Sequence, residues 1–425
     1  MKKKIFIIGF LLLFCDVYSQ SGWFRVTDSI PNLYIMAIQF TSENIGYAVG
    51  SYDGICPGGV LRTTNGGLNW QFTNFPLYSA DDLSFLNDNT GYISSWSIFT
   101  GRSYVLKTTN SGVNWIIKDS LNASFFNMKF YDLNTGIVAS KYSTVHKTTN
   151  GGSNWFAQTG VIWHGPSCIW CFDANNWLVA DRGTSLNKTT NGGENWSVLD
   201  FSSSGFDFKS LYFINSNTGF GLSGLGSIYK TSNKGNNWVK IDSISSFYGY
   251  RGNIFFVNDY TGFVCGSGYE GNIYKTTNGG LNWISKSNHF PDLMTYIFFV
   301  NPNTGYVGSK NGFIYKTTTG GNVFVGNISN EIPKEYKLFQ NFPNPFNPTT
   351  KIRFAIREEG KGKREKTKLD IFDILGKEIT TLVNETLQPG MYEVTFDGKN
   401  LPSGIYFYEL TAGDFVSVRK MLLIK

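Results

Sequence analysis

Thr276-Thr277-Asn278-Gly279-Gly280-Leu281-Asn282-Trp283 is the stretch whose reading decides the fold. The rhythm T-[TS]-N-x-G-x-N-W also runs from Thr63 to Trp70, Thr108 to Trp115, Thr148 to Trp155, Thr189 to Trp196 and Thr231 to Trp238. A seventh copy, Thr317 to Phe324, has lost the central Asn and ends in Phe. Successive Trp residues are 45, 40, 41, 42 and 45 positions apart, and Phe324 follows Trp283 by 41. One turn motif per period of this length marks an array of repeated sheets such as a β-propeller.

Each copy is turn chemistry. The Asn side chain bonds to nearby backbone, and Gly takes positive φ without steric cost. The Trp then opens a strand and buries a large ring against the turn. The structural residues of the six intact copies are Asn65 and Trp70, Asn110 and Trp115, Asn150 and Trp155, Asn191 and Trp196, Asn233 and Trp238, and Asn278 and Trp283.

Between copies the chain repeats an alternating apolar strand (Ile38-Gln39-Phe40, Leu211-Tyr212-Phe213), an N-T-G turn and a second strand. A variable loop and a third strand (Ile273-Tyr274-Lys275) follow. The turn is Asn89-Thr90-Gly91, Asn134-Thr135-Gly136, Asn217-Thr218-Gly219 and Asn303-Thr304-Gly305; the fourth unit has Asn175-Asn176 instead. Four strands in each of seven units predict a seven-bladed β-propeller over residues 20–324. Trp23-Phe24-Arg25-Val26 resembles the strand after each corner, so it is expected to supply the outer strand of the last blade.

These copies resemble the Asp-box, or BNR, repeat, S/T-x-D-x-G-x-x-W/F, with Asn where that family usually has Asp. The resemblance implies structural turns rather than ligand sites, and Asn removes the charges a cation would need. The G-Y-x-x-G rhythm is also similar to propellers of the photosystem II assembly-factor type, which implies a protein-binding scaffold.

Strand-one-to-two turns and the Asn-Gly corners are expected on one face of the disc. The two-to-three loops and blade connections fall on the other, and irregular loops on a rigid scaffold are where binding concentrates. The candidate ligand-binding residues there are Trp96, Arg102, Tyr142, Trp163, Arg182, Tyr250, Arg251 and Tyr269, with a protein or glycan as ligand. Tyr52, Asp53, Phe99, His164, Asp181, Tyr248 and Glu270 share that face.

The ends of the chain read differently. Lys2 to Lys4 precede an apolar run from Ile5 to Phe14, too short to span a bilayer, so residues 1–19 are expected to be a signal peptide. Residues 325–335 read as a polar linker. Strand patterns at Lys351–Ile356, Lys368–Ile374, Met391–Phe396, Ile405–Leu410 and Ser417–Ile424 predict a small immunoglobulin-like β-sandwich over residues 336–425. The charged run Arg357 to Lys366 reads as a solvated hairpin between the first two.

Residues 336–425 closely resemble the C-terminal sorting domain of type IX secretion. The resemblance is carried by Leu338 to Thr350, Leu401-Pro402-Ser403-Gly404-Ile405-Tyr406 and Lys420-Met421-Leu422-Leu423-Ile424-Lys425. It implies export across an outer membrane, the type IX machinery as partner, and an extracellular or surface location.

Net charge is +6, and residues 20–330 hold only +2 of it, which leaves no footprint for nucleic acid. Cys56, Cys168, Cys171 and Cys265 read as small buried hydrophobes, since side chains three apart on a strand face opposite ways. Three His residues in all give a zinc site little to draw on, and no metal, cofactor or catalytic residue is expected. The leading expectation is therefore a non-enzymatic surface or secreted binding module. One alternative is a glycoside hydrolase of the sialidase or xyloglucanase kind, for which Asp53, Asp181 and Glu270 would have to supply acid groups. A structural surface-layer component is the other.

Overall fold

In a computed structural model the protein is all-β. It describes residues 17–18, 22–27, 33–52, 55–76, 78–122, 125–140, 144–158, 165–182, 185–200, 207–244, 247, 252–266, 272–285, 290, 292–321, 326–329, 333–358, 365–398 and 401–425. Residues 1–16 of the expected signal peptide and the seventh-copy Phe324 lie outside these residues.

Seven antiparallel sheets of the propeller occur among the described residues. The first holds Leu33–Phe40, Gly46–Tyr52, Ile55–Thr63 and Gln71–Phe75. The next five begin at Asp82, Phe125, Pro166, Phe208 and Gly252, each repeating the same up-and-down order. The last is built from Met294–Phe299, Gly305–Ser309, Ile314–Thr317 and Trp23–Arg25, with Val17–Tyr18 added at its rim. The first strand of every sheet touches the first strand of the next, and Thr295 Oγ1 donates to Ile35 O at 2.6 Å to close the circle.

Burial runs from axis to rim. The second strands of the third to seventh sheets are buried at every position, while the outer strands are largely exposed. This explains why second strands read as continuous apolar runs and outer strands do not.

Two aromatic layers hold neighbouring sheets together. Tyr47 stacks on Phe85 at 3.6 Å, Tyr92 on Phe130 at 3.5 Å, Phe220 on Phe256 at 3.7 Å, Phe263 on Phe299 at 3.8 Å and Tyr306 on Phe40 at 4.0 Å. Each first-strand Phe lies over a Gly of its own second strand. A Cβ on Gly46, Gly91, Gly219, Gly262 or Gly305 would come within 2.6 Å of that ring. The corner Trp then meets the Phe edge-on, as Trp115 meets Phe85 at 5.9 Å.

The fourth sheet inverts this pair. Cys171 stands where the others have Phe, and Trp177, opposite it in register, stands where they have Gly. Trp177 packs with Ile137, Val145 and Val179 and meets the corner Trp196 at 6.2 Å. The missing Gly in Asn175-Asn176-Trp177 is thus a cross-strand exchange of bulk.

The C-terminal sandwich has two four-stranded sheets. One orders Gly326–Ser329, Gly390–Asp397, Thr349–Ile356 and Lys337–Leu338; the other Glu378–Leu387, Glu365–Phe372, Gly404–Ala412 and Phe415–Leu423. Phe346, Phe354, Leu369, Phe396, Tyr408 and Met421 fill the space between them. Three expectations change here. Gly326–Ser329, read as linker, is an edge strand on Gly390–Asp397. Thr349–Ile356 and Glu365–Phe372 sit in different sheets, so the charged run between them passes from one sheet to the other rather than closing a hairpin. Glu378–Leu387 is a further strand, in a stretch that carries no apolar alternation along its length.

Candidate functional site

The Asn-Gly corners are structural latches. In the first, Thr63 Oγ1 donates to Asn65 Oδ1 at 3.0 Å and accepts from Gly67 N at 2.9 Å, while Asn69 N donates to Asn65 Oδ1 at 3.0 Å. The same three bonds recur at Asn110, Asn150, Asn191, Asn233 and Asn278. One amide oxygen serves both donors, so no carboxylate charge is needed. Two consecutive residues hold positive φ at each corner, including Ser111 at 58° and Lys234 at 59°.

Each corner also rests on the first turn of its own sheet, as in Gly66 N to Asn44 O at 2.9 Å and Gly151 N to Asn134 O at 2.9 Å. Corners and first turns therefore share one face of the disc. Among the described residues, the Lys just before the corner reaches the next corner round the ring in four sheets, Lys188 Nζ donating to Lys234 O. Lys147 Nζ donates to Gly192 O, Lys275 Nζ to Gly320 O at 3.0 Å and Lys316 Nζ to Gly66 O at 2.6 Å. Several lie over aromatic rings, as Lys107 does over Tyr92 at 5.0 Å. Burial lowers the Lys107 and Lys316 ammonium pKa values. The sequence showed this residue in every repeat; its pairing across sheets appears only in three dimensions.

On the opposite face, Trp96 and Arg102 flank one hairpin of the second sheet. Trp96 N donates to Ser79 Oγ at 2.8 Å, and Arg102 donates through Nε and Nη2 to Ser120 Oγ and O at 3.1 and 2.7 Å. Between them Ile98 and Phe99 are exposed, Phe99 at 68%. Arg182 is exposed on the fourth sheet, in a different loop, where its amide donates to Gly165 O at 2.9 Å. Asp181 beside it is buried and accepts from Ser185 N at 3.0 Å, which makes it a loop cap. Tyr142, Trp163, Tyr250, Arg251 and Tyr269 lie outside the described residues, as do Asp53 and Glu270. The structure thus brings Trp96 and Arg102 together and keeps Arg182 apart. Cys168 and Cys265 are buried, Cys171 is partly so, and all three are free thiols. Burial pushes the Cys168 and Cys171 thiols up to about 12, so neither is a reactive thiolate.

Sequence reading missed the axis. The next-to-last residues of the first strands are Gln39, Ser84, Lys129, Trp170, Tyr212, Phe255 and Phe298; Ser84 is buried and the other six are half-buried. On one side they are polar and bond to the neighbour's backbone, as Gln39 Nε2 does to Phe85 O at 2.8 Å and Phe130 N to Ser84 Oγ at 3.0 Å. On the other they form an aromatic arc. Trp170 meets Tyr212 at 5.5 Å, Tyr212 meets Phe255 at 4.7 Å and Phe255 meets Phe298 at 5.2 Å. Below the arc, on the corner face, a cavity of ≈ 310 Å³ opens between Tyr212 and Ile214 of the fifth sheet and the turn Val257 to Tyr260 of the sixth.

Asp82 joins the polar side, accepting from Leu83 N at 2.8 Å and Met128 N at 2.9 Å. Burial raises its pKa from 3.8 to about 6, against the lowering by those amides and Lys129. A folded state that holds this proton more tightly is favoured at low pH. The Asp82 contribution is therefore full below pH 3.8 and is lost as pH rises through about 6, by roughly 3 kcal/mol in all. His146, whose pKa burial lowers, slopes the opposite way. Urea titrations from pH 4 to 7 are expected to show that Asp82→Asn removes the downward component, so that its stability rises relative to wild type across the interval. A constant difference between the two proteins over that range would count against it.

In the C-terminal sandwich the three signature stretches meet. Tyr408 Oη donates to Phe339 O at 2.9 Å and accepts from Asn341 N at 2.8 Å. Arg419 Nε donates to Leu338 O at 2.7 Å, and Leu422 N to Asn344 Oδ1 at 2.9 Å. Lys425 N closes onto Ser403 Oγ at 3.0 Å.

Residues 340–425 match the family model described as the secretion system C-terminal sorting domain. No curated protein matches the chain. In fold the propeller is similar to a structure described as "YCF48 bound to D1 peptide", with a TM-score of 0.57 at 17% identity over 70% of this chain and 97% of that one. It is similar to YCF48 from Cyanidioschyzon merolae, with a TM-score of 0.56 at 18% identity over 69% and 98%. The WD40 β-propeller domain of Doa1 aligns with a TM-score of 0.52 at 14% identity over 70% and 96%. No helix among the described residues is long and apolar enough to cross a membrane. Propeller and tail together make this chain a β-propeller marked for the type IX export route, to the cell surface or beyond.

Proposed function

We propose that the chain is a surface-displayed or released binding module. Its ring, built on Asp-box-type corners in seven blades, presents a protein or glycan ligand with a rigid face. An amino-terminal signal directs the first membrane crossing and residues 336–425 the second. The observation that carries the reading is the hairpin bearing Trp96, Ile98, Phe99 and Arg102. There two large apolar side chains stand in solvent beside a cation, on the face where the loops vary from sheet to sheet. Asp181, one of the three acids a glycosidase would draw on, is buried and accepts from Ser185 N.

The test is capture of ligands from the outer surface by the full chain, against a chain carrying Trp96→Ala and Phe99→Ala. The variant is expected to lose about tenfold or more in affinity, since buried aromatic anchors dominate interfaces, with unchanged unfolding. Turnover of a glycoside substrate, abolished by Asp181→Asn in a protein that still folds, would replace this reading with the enzymatic one.

A further inference from the structure

We propose that the cavity at the first turn of the sixth sheet is a subsite for a neutral glycan, which stacks on Tyr260 and hydrogen-bonds to Asp259 and Tyr212. The inference rests on the binding-module reading above and names a ligand class and a place for it, on the corner face rather than the opposite one.

The repeats act as internal controls. At the place of Tyr260 the other six sheets all carry Asn: Asn44, Asn89, Asn134, Asn175, Asn217 and Asn303. The backbone carbonyl at this place receives the corner amide, at 2.9 Å from Gly66, 3.0 Å from Ser111 and 2.7 Å from Gly320. Tyr260 O does the same for Gly279 N at 2.9 Å. Asn258 Oδ1 takes the Tyr260 and Thr261 amides at 3.0 and 2.8 Å, as Asn215 Oδ1 does for Asn217 and Thr218. The turn closes without help from the phenol, which is 68% exposed. Nothing in the fold asks for a Tyr here, and it stands on the rim of the cavity.

The lining defines the ligand. Tyr212, Ile214, Val257, Asn258, Asp259 and Tyr260 include one carboxylate and no cation, which disfavours an anionic ligand. Among the described residues neither phenol hydroxyl nor the Asp259 carboxylate has a hydrogen-bond partner. Burial pushes the Tyr212 hydroxyl up to about 12, so it remains a neutral donor and acceptor at any physiological pH. The volume lies at the lower end for small-ligand sites, room for the end of an oligosaccharide. An extended peptide would seek free backbone groups, and this turn has spent its own: Val257 N on Thr261 O, Tyr260 O on Gly279 N, and two amides on Asn258. Recognition is left to an aromatic plate with hydroxyl and carboxylate groups around it, which suits a sugar ring.

The experiment is isothermal titration of the full chain with cellohexaose, mannohexaose, laminarihexaose and chitohexaose, with a lysine-rich peptide as comparator. At least one oligosaccharide is expected to bind, and Tyr260→Asn to weaken it about tenfold or more. Tyr260→Phe should retain most of the affinity. The thermal midpoint of Tyr260→Asn should match wild type, because six sister turns already use Asn. Binding indifferent to Tyr260→Asn would place the glycan elsewhere and overturn the inference while leaving the module reading intact. Binding of none of the four sugars overturns it too, as does a peptide that binds more tightly than any sugar and is lost in Tyr260→Asn. Failure of both this titration and the surface capture would sink both readings.

Discussion

Trp23→Ala is expected to destabilise the propeller by about 4 kcal/mol, the cost of truncating a fully buried indole in a core. Trp23 is 1% exposed and meets Phe299 edge-on at 5.8 Å, as corner Trp residues do elsewhere in the ring. Its indole lies over Gly321, where an added Cβ would come within 2.8 Å of Nε1. The strand it leads pairs Phe24 with Lys316 and Arg25 with Tyr315, and Val26 N donates to Ile314 O at 2.9 Å. Every other outer strand is tied to its sheet by a corner eight residues long. This one is tied to its sheet, among the described residues, by contacts between residues nearly three hundred positions apart, so loss of the anchor frees the strand as well as emptying the site. Trp115→Ala removes a similar ring from an intact hairpin and should cost less. Urea unfolding of both variants, with limited proteolysis of the amino-terminal segment, checks the ranking. Equal losses, with the segment equally protected, would mean the ring is not closed through Trp23.

The second large effect is a double-mutant cycle in the fourth sheet. Trp177→Gly empties the space between the third and fourth sheets and adds backbone freedom, for a loss of about 4 kcal/mol. Cys171→Phe forces a second ring into a site where the indole already stands, for about 3 kcal/mol. Made together, the two changes write the pair used by the other six sheets. They are expected to recover most of the combined loss, with a coupling of about 3 kcal/mol or more where independent changes would simply add. Equilibrium unfolding of the four proteins measures it. Additive losses would show that Cys171 and Trp177 do not share one volume.

Much of this was legible in the chain. The corners, the four-stranded unit, the sheet-closing strand at Trp23 and the separate C-terminal sandwich all follow from patterns repeated at fixed spacing. Repetition averages out the ambiguity that one short strand always carries. What escaped reading had no period or the wrong one. Glu378–Leu387 hides among polar residues, Gly326–Ser329 looks like linker, and the charged run passes between two sheets. The fourth sheet departs from the rule at Cys171 and Trp177, two positions that become neighbours only through strand pairing. The candidate site was half legible. Trp96 and Arg102 do flank one hairpin, whereas Tyr212, Phe255 and Tyr260 passed unnoticed, because the sequence does not say which residues of seven equivalent strands converge on one axis.

The sequence by itself determined the repeating sheet, its Asn-Gly latches and the export tail, since each is set by local geometry or by a contiguous motif. Tertiary structure alone decided which cation reaches which corner, where bulk could be exchanged across strands, and that an ordinary turn with one unusual Tyr borders a cavity. Those depend on distances between sheets, and a linear pattern carries no information about distance until the ring has closed.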